Sequence, residues 1–280
     1  MAGRSPNTAV KAKPFSARPT LDRERLLWKE GHEWVGGLDE VGRGAWAGPV
    51  SVGVSVLPTG ITRRTMPLWL RDSKLLHEVR REAIFEDVAA WCAYWAVGHA
   101  SHAECDRWGM TAALRLAAFR ALAQLPVVPG ALVIDGPYDL LKEPPVQLRL
   151  MSEAPDAAAV GPELPDIIPP STIVPVIDAD ARCAAVSAAS VLAKVVRDRM
   201  MRDEAPHFPA YQFEENKGYP SSAHKRALRG YGLSAIHRRS WAFVSGIPWG
   251  DGRGGDLPNG PADGLVAPQN SSPEALSAVQ

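Results

Sequence analysis

From Val50 to Val56 the chain reads Val-Ser-Val-Gly-Val-Ser-Val. Successive side chains of a strand point to opposite faces, so this period of two fits a half-buried strand and no helix. Just before it, Gly36-Gly37-Leu38 leads into Asp39-Glu40-Val41 and then a Gly42-Arg43-Gly44 turn. The expected course is strand, tight turn, strand, and later elements must add to that hairpin. Neighbouring carboxylates project from opposite faces of a strand, so Asp39 and Glu40 can share a site only where the strand ends and the chain bends. Their oxygens suit a hard cation such as Mg²⁺ or Mn²⁺, and glycine lets backbone N–H groups approach a ligand closely. A solvated hairpin end accounts for the same residues equally well. No helical pattern follows the glycines and no Gly-Lys-Ser/Thr is present, which excludes a dinucleotide fingerprint and a phosphate-binding P-loop.

The rest of the chain extends this start. Residues 77–91 have helical apolar spacing and Ala93 to His99 is a strand candidate. Ser101 suits a helix N-cap, and Met110 to Leu125 reads as an Ala/Leu helix. Ala131-Leu132-Val133-Ile134 is a continuous apolar run, expected as a buried parallel strand, and it ends in Asp135-Gly136-Pro137. An acid at the carboxyl end of such a strand lies where open α/β sheets bind ligands, although a plain turn also fits. Ile173 to Ile177 is the next strand candidate, followed by Asp178-Ala179-Asp180 and a helix from Arg182 to Arg202. On that helix Ala185, Ala188, Ala189, Leu192, Val195 and Val196 form one face, and Ser187, Ser190, Lys194 and Arg197 the other. Lys194 and Arg197 are candidates to face phosphates, with a solvated polar face as the alternative.

Residues 1–20 and 250–280 are polar and rich in Pro, Gly, Ser and charge, and are expected to be disordered. Residues 138–170 lack periodicity and read as an insertion in a single domain over 21–249. No apolar run is long enough to span a membrane and no signal core opens the chain. Cys92, Cys105 and Cys183 have no paired or metal-type spacing, which suits a reducing cytoplasm. Lys and Arg total 31, as do Asp and Glu, so nucleic-acid binding would need a local basic patch. Residues 217–239 offer one, with Lys217, Lys225, Arg226, Arg229, Arg238 and Arg239, no acid, and Tyr219 and Tyr231 among them.

Acids at a first strand, a later buried strand and a helix start repel one another unless cations neutralise them, and two divalent ions at a phosphodiester would do so. Here the chain resembles the ribonuclease HII family, type 2 ribonucleases H, over about residues 34–243. The matching blocks are Gly37-Leu38-Asp39-Glu40-Val41-Gly42-Arg43-Gly44, Ala47-Gly48-Pro49-Val50, Asp72-Ser73-Lys74, Val133-Ile134-Asp135-Gly136 and Asp180-Ala181-Arg182-Cys183. Ala188 to Val195, Asn216-Lys217-Gly218-Tyr219 and His237-Arg238-Arg239-Ser240-Trp241 follow in the same order. The resemblance implies an α/β fold, a ribonuclease H-like mixed sheet flanked by helices with a helical C-terminal extension. It implies an endoribonuclease that uses Mg²⁺ or Mn²⁺ to cut RNA–DNA hybrids and duplex DNA 5′ to embedded ribonucleotides, leaving 5′-phosphate and 3′-hydroxyl ends. Asp39, Glu40, Asp135 and Asp180 would be the metal-binding catalytic carboxylates. Gly42, Arg43 and Gly44 would read the 2′-hydroxyl, Tyr219 would stack on the adjacent sugar, and Ser190, Lys194 and Arg197 would assist binding. The expected state is a monomer. A binding module that holds hybrids without cutting them, and a metal-dependent phosphatase for small substrates, are the competing readings. Two departures stand out: the segment between Asp135 and Asp180 is longer than usual, and Asp178 stands where Lys is common, giving the fourth carboxylate two candidates.

Overall fold

A computed structural model describes residues 18–143 and 161–247. The expectations for 1–17, for the middle of the insertion and for the tail from 248 lie outside these residues. Five strands form one sheet: β1 (Trp34–Val41), β2 (Val50–Pro58), β3 (Tyr94–Ala100), β4 (Ala131–Asp135) and β5 (Thr172–Val176). Their order is β3-β2-β1-β4-β5. The first three pair antiparallel, and β4 and β5 add parallel to β1. The sheet is therefore mixed and its middle strand is β1, the strand that carries Asp39 and Glu40.

Helices cover both faces. Helix α3 (His102–Ala123) packs on β2 and β3, and α5 (Ala184–Glu204) lies across β1 and β2. Glycine makes the second contact possible. A Cβ on Gly37 would overlap the α5 backbone at Ala185 and Val186, and one on Gly53 would sit 2.6 Å from the Ala189 carbonyl. The alanine face of α5 meets these bare strand positions, so helix and sheet approach more closely than larger side chains allow. Ser101 and Glu104 form a capping box on α3, which begins eight residues before the expected start and passes a non-helical Gly109. Helix α2 (Glu78–Trp91) packs along α5.

Several expectations need correcting. The single helix over 182–202 is two pieces, α4 (Ala179–Arg182) and α5, because Cys183 is extended between them. A short α1 (Asp22–Lys29) precedes the sheet. Within the stretch expected to be disordered, Arg18 donates to the carbonyls of Met66 and Pro67, and Thr20 bridges to Cys183. The described flanks of the insertion also dock: Leu140, Leu141, Leu164 and Ile167 pack on the main core. The C-terminal part is helical, with α6 (Phe213–Asn216), α7 (Ser222–Tyr231) and short 3₁₀ turns around their own apolar cluster. No helix among the described residues is long and apolar enough to cross a membrane.

Candidate active site

In the parallel pair β1–β4, Leu38 lies beside Ile134, so Asp39 and Asp135 follow at the same level at the two carboxyl ends. Strand β5 ends alongside at Val176, and the next turn carries Asp180 into α4. Topology thus gathers at one sheet end acids separated by more than a hundred residues. A cavity of 220 Å³ opens there, lined by Asp39, Glu40, Val41, the Gly42–Gly44 turn, Ser73, Lys74, Asp135, Ser190, Lys194 and Tyr219.

Asp39 is 4% exposed. Its Oδ1 accepts the Glu40 N–H at 2.8 Å. Burial, with the charges of Glu40, Asp180 and Asp135 adding to it, pushes its carboxyl up to about 8, although a Ser190 hydrogen bond opposes this. Burial also raises Glu40, and burial with the Asp180 charge raises Asp135. Asp135 Oδ1 accepts the Ala179 N–H at 2.7 Å. Asp180 is buried and paired with Lys74 Nζ at 2.8 Å. Asp178, two residues away, is exposed in a left-handed conformation. Of the two candidates for the fourth carboxylate, Asp180 is the one turned toward Asp135 and Asp39.

These oxygen donors are the hard ligands that Mg²⁺ or Mn²⁺ prefers, and their mutual repulsion favours a cation among them. Lys74 already puts an ammonium on Asp180. Although burial opposes it, the Asp180 contact holds that ammonium above its ordinary value. Among the described residues no three acids, histidines or cysteines are arranged to enclose an ion by themselves. The donors therefore fit a site in which water and a phosphate complete the coordination.

Gly42 has φ 86°, and a Cβ there would strike the Arg197 guanidinium. Its N–H donates to Tyr219 Oη at 3.0 Å, which locks the turn to the tyrosine. Gly44 has open space where a Cβ would be, and Arg43 is exposed beside Glu40. The Lys194 ammonium pairs with Asp198 and lies 5.7 Å from the centre of the Tyr219 ring. Ser190 Oγ bonds Ser73 Oγ at 2.8 Å, so it supports the cavity wall next to Asp39.

Arg197 departs from expectation. It is fully buried, and its guanidinium donates to the carbonyls of Pro49, Lys217 and Ala47. It does not line the cavity; it props the turn and lies 5.3 Å from the centre of the Tyr219 ring. The basic stretch 217–239 divides in the same way. Arg238 is buried and donates to the carbonyls of Gly42, Arg43 and Gly48, while Lys217 is buried against Glu78. Lys225, Arg226, Arg229 and Arg239 remain at the surface.

Sequence reasoning had no site role for Ser73, Lys74 or two buried histidines. The signal for the first two was the Asp72-Ser73-Lys74 block shared with the ribonuclease HII family, to which no role was attached. Ser234 N–H donates to His237 Nδ1 at 2.9 Å, His237 and His224 meet through Nε2 at 2.8 Å, and His224 Nδ1 reaches the Tyr219 carbonyl at 2.9 Å. A backbone N–H can only donate and a carbonyl only accept, so both rings are neutral and the tautomers are fixed: His237 donates to His224, which donates to Tyr219. The tyrosine is thus held at its carbonyl by this chain and at its hydroxyl by Gly42.

The family model described as ribonuclease HII matches residues 36–244. A ribonuclease HII of Streptomyces coelicolor is 43% identical over 231 residues, covering 82% of this chain and 86% of that protein. One from Thermus thermophilus is 41% identical over 225 residues, covering 80% and 94%. Among solved structures, the ribonuclease H2 of Pyrococcus horikoshii OT3 superposes with a TM-score of 0.57 at 26% identity, covering 76% of this chain and 96% of that one. A manganese-bound Bst-RNase HIII, 21% identical with a TM-score of 0.54, shares the fold. On the match over most of its length, the chain belongs to the ribonuclease HII family and is an endonuclease of the ribonuclease H type.

Proposed function

We propose that this protein cuts the RNA strand of RNA–DNA hybrids and, in duplex DNA, the phosphodiester 5′ to an embedded ribonucleotide. The observation that carries this reading is one cavity with carboxylates on one wall and a glycine turn tied to a tyrosine on another. Asp39, Glu40, Asp135 and Asp180 would hold two divalent ions, Mg²⁺ or Mn²⁺. When bound, such ions supply Lewis acidity and a water of lowered pKa. Lys74 holds Asp180 in place, and the Ser73–Ser190 pair fixes the wall beside Asp39. The Gly42-Arg43-Gly44 turn recognises the 2′-hydroxyl, the group that distinguishes RNA from DNA at a given position. Tyr219 presents its ring to the neighbouring sugar. Attack by water rather than by the 2′-hydroxyl leaves 5′-phosphate and 3′-hydroxyl ends. The three cysteines are free and buried, which fits a monomer working in the reducing cytoplasm.

The test is a duplex DNA carrying one ribonucleotide, incubated with Mg²⁺ or Mn²⁺ and mapped for the cut. A single cut 5′ to the ribonucleotide, abolished by chelator, is expected. Tight binding without cutting would favour the binding-module reading, and cleavage undiminished in chelator would refute the metal-dependent one.

A further inference from the structure

The loop between β2 and α2, together with the first turn of α2, carries basic residues outside the 217–239 stretch. Between residues 61 and 81 there are six cations, Arg63, Arg64, Arg71, Lys74, Arg80 and Arg81, against two acids, Asp72 and Glu78. Both acids have partners: Asp72 accepts the Lys74 N–H, and Glu78 pairs with Arg202 and Lys217. Lys74 and Arg81 have their own partners in Asp180 and Asp198. Among the described residues Arg63, Arg64 and Arg80 have no acidic partner, and all three are exposed.

Two of these cations, Arg71 and Arg80, flank the Trp69 ring. The Arg80 guanidinium lies 4.5 Å from the centre of that ring and that of Arg71 lies 5.5 Å away. Arg18 joins them: burial, then the charges of Arg63 and Arg71, lower its guanidinium from its ordinary value. So many like charges on one short stretch of surface call for an anion, and the ring fixes guanidinium planes that could otherwise rotate. Leu68, Leu75 and Val79 are exposed nearby.

The patch adjoins the cavity, since Trp69 precedes Lys74 by five residues, a chain reach of at most about 17 Å. Duplex DNA advances about 3.4 Å per nucleotide along each strand, so that upper limit corresponds to about five base pairs. We infer that the arginines around Trp69 bind the phosphate backbone of the substrate duplex about five base pairs from the scissile bond. This rests on the proposed function for its choice of polyanion. Planar guanidiniums suit paired phosphate oxygens, and exposed leucine and valine side chains can lie against sugars.

The experiment compares wild type with the triple variant Arg63→Gln/Arg64→Gln/Arg80→Gln, and with Trp69→Ala. Fluorescence anisotropy in EDTA measures binding to duplexes with one ribonucleotide and either about twelve or about three base pairs on each side. Removal of one arginine–phosphate pair should weaken binding about fivefold at 0.15 M salt and reduce the salt slope by about 0.9. On the long duplex the triple variant should bind about a hundredfold more weakly, with a slope lower by about 2.7. On the short duplex it should match wild type. Trp69→Ala should show a smaller loss of the same kind. Unchanged affinity and slope on the long duplex, or equal losses on both duplexes, would overturn the inference. Melting temperatures identify any variant damaged in folding, and the separate Arg80→Gln variant then carries the comparison. Cleavage by wild type is scored in parallel. A protein that binds through the patch but does not cut defeats the proposed function and leaves the patch standing, whereas normal cutting with an indifferent patch defeats only the patch.

Discussion

The buried histidine chain should make the protein acid-sensitive by an amount that follows from its geometry. A proton added to His224 sets two N–H groups against each other across 2.8 Å, and one added to His237 at Nδ1 opposes the Ser234 N–H across 2.9 Å. Burial pushes the His237 imidazole down to about 3, with the charge of His224 adding to this. The unfolded chain takes up a proton at that histidine near pH 6.5, and the native protein does not. Stability is therefore fully present above pH 6.5 and is lost as the pH falls from there toward 3. For an unfolded pKa of about 6.5, one histidine kept neutral in the fold contributes about 1.4 kcal/mol between pH 7.5 and 5.5. His237→Asn removes that contribution. Urea unfolding at the two pH values should show wild type losing about 1.4 kcal/mol more than the variant. Glu24 and Asp39, raised to about 7 and about 8 chiefly by burial, titrate with the opposite sign. They are present in both proteins, so the double difference cancels them. His99, lowered by burial to about 4, offers a second variant, His99→Asn, with the same expected difference if His237→Asn is too unstable to measure. Equal pH dependence in wild type and both variants would mean that these rings are protonated in the native state, which refutes the assigned hydrogen bonding.

Asp135→Asn should keep the melting temperature within a few degrees and reduce kcat by orders of magnitude, because it changes charge at a strand end and no core volume; unfolding would mark Asp135 as structural. Asp180→Asn should lose far more activity than Asp178→Asn, since Asp180 is buried and paired with Lys74 of the cavity wall while Asp178 is exposed; the reverse order in kcat/KM would refute the assignment. Gly37→Ala forces α5 off the sheet and should destabilise by about 1–3 kcal/mol in urea unfolding. Gly44→Ala meets no atom of the protein, so its stability should be unchanged while KM for a ribonucleotide-containing duplex rises; unchanged KM would remove Gly44 from substrate recognition. Tyr219→Ala should lose about 1–3 kcal/mol in kcat/KM, the scale of aromatic stacking on nucleic acid, and more on a single ribonucleotide than on a long hybrid; equal losses would reduce Tyr219 to a general binding residue.

The strands were legible because their signals are local. Alternation gives β2, a continuous apolar run gives β4, and an acid at the end of each buried run marks the sheet end where a site can form. The small-residue face of α5 was legible for the same reason. What misled was charge. Arginine and lysine in a polar stretch read as solvent-facing or phosphate-facing, yet Arg197, Lys217 and Arg238 are buried props. Their partners are mainly backbone carbonyls and one glutamate brought from distant parts of the chain, such as Gly42 for Arg238, and no local spacing encodes that. Lys74 was missed because its partner, Asp180, lies 106 residues away. The histidine chain escaped because its tautomers exist only once Ser234, His237, His224 and Tyr219 have converged.

The strand order has a consequence for when this nuclease becomes active. Strand β1 pairs with β2 from the next stretch of chain, but its other edge waits for β4, about a hundred residues later, and Asp180 and Tyr219 come later still. A chain emerging from the ribosome can form the hairpin that carries Asp39 and Glu40 long before those residues have partners. Contacts so distant in sequence form late in folding. The nascent chain therefore presents Asp39 and Glu40 without Asp135, Asp180 or Tyr219 until most of the domain has been made. On the proposed assignment of the site, the capacity to cut arrives only when these distant segments close on one another.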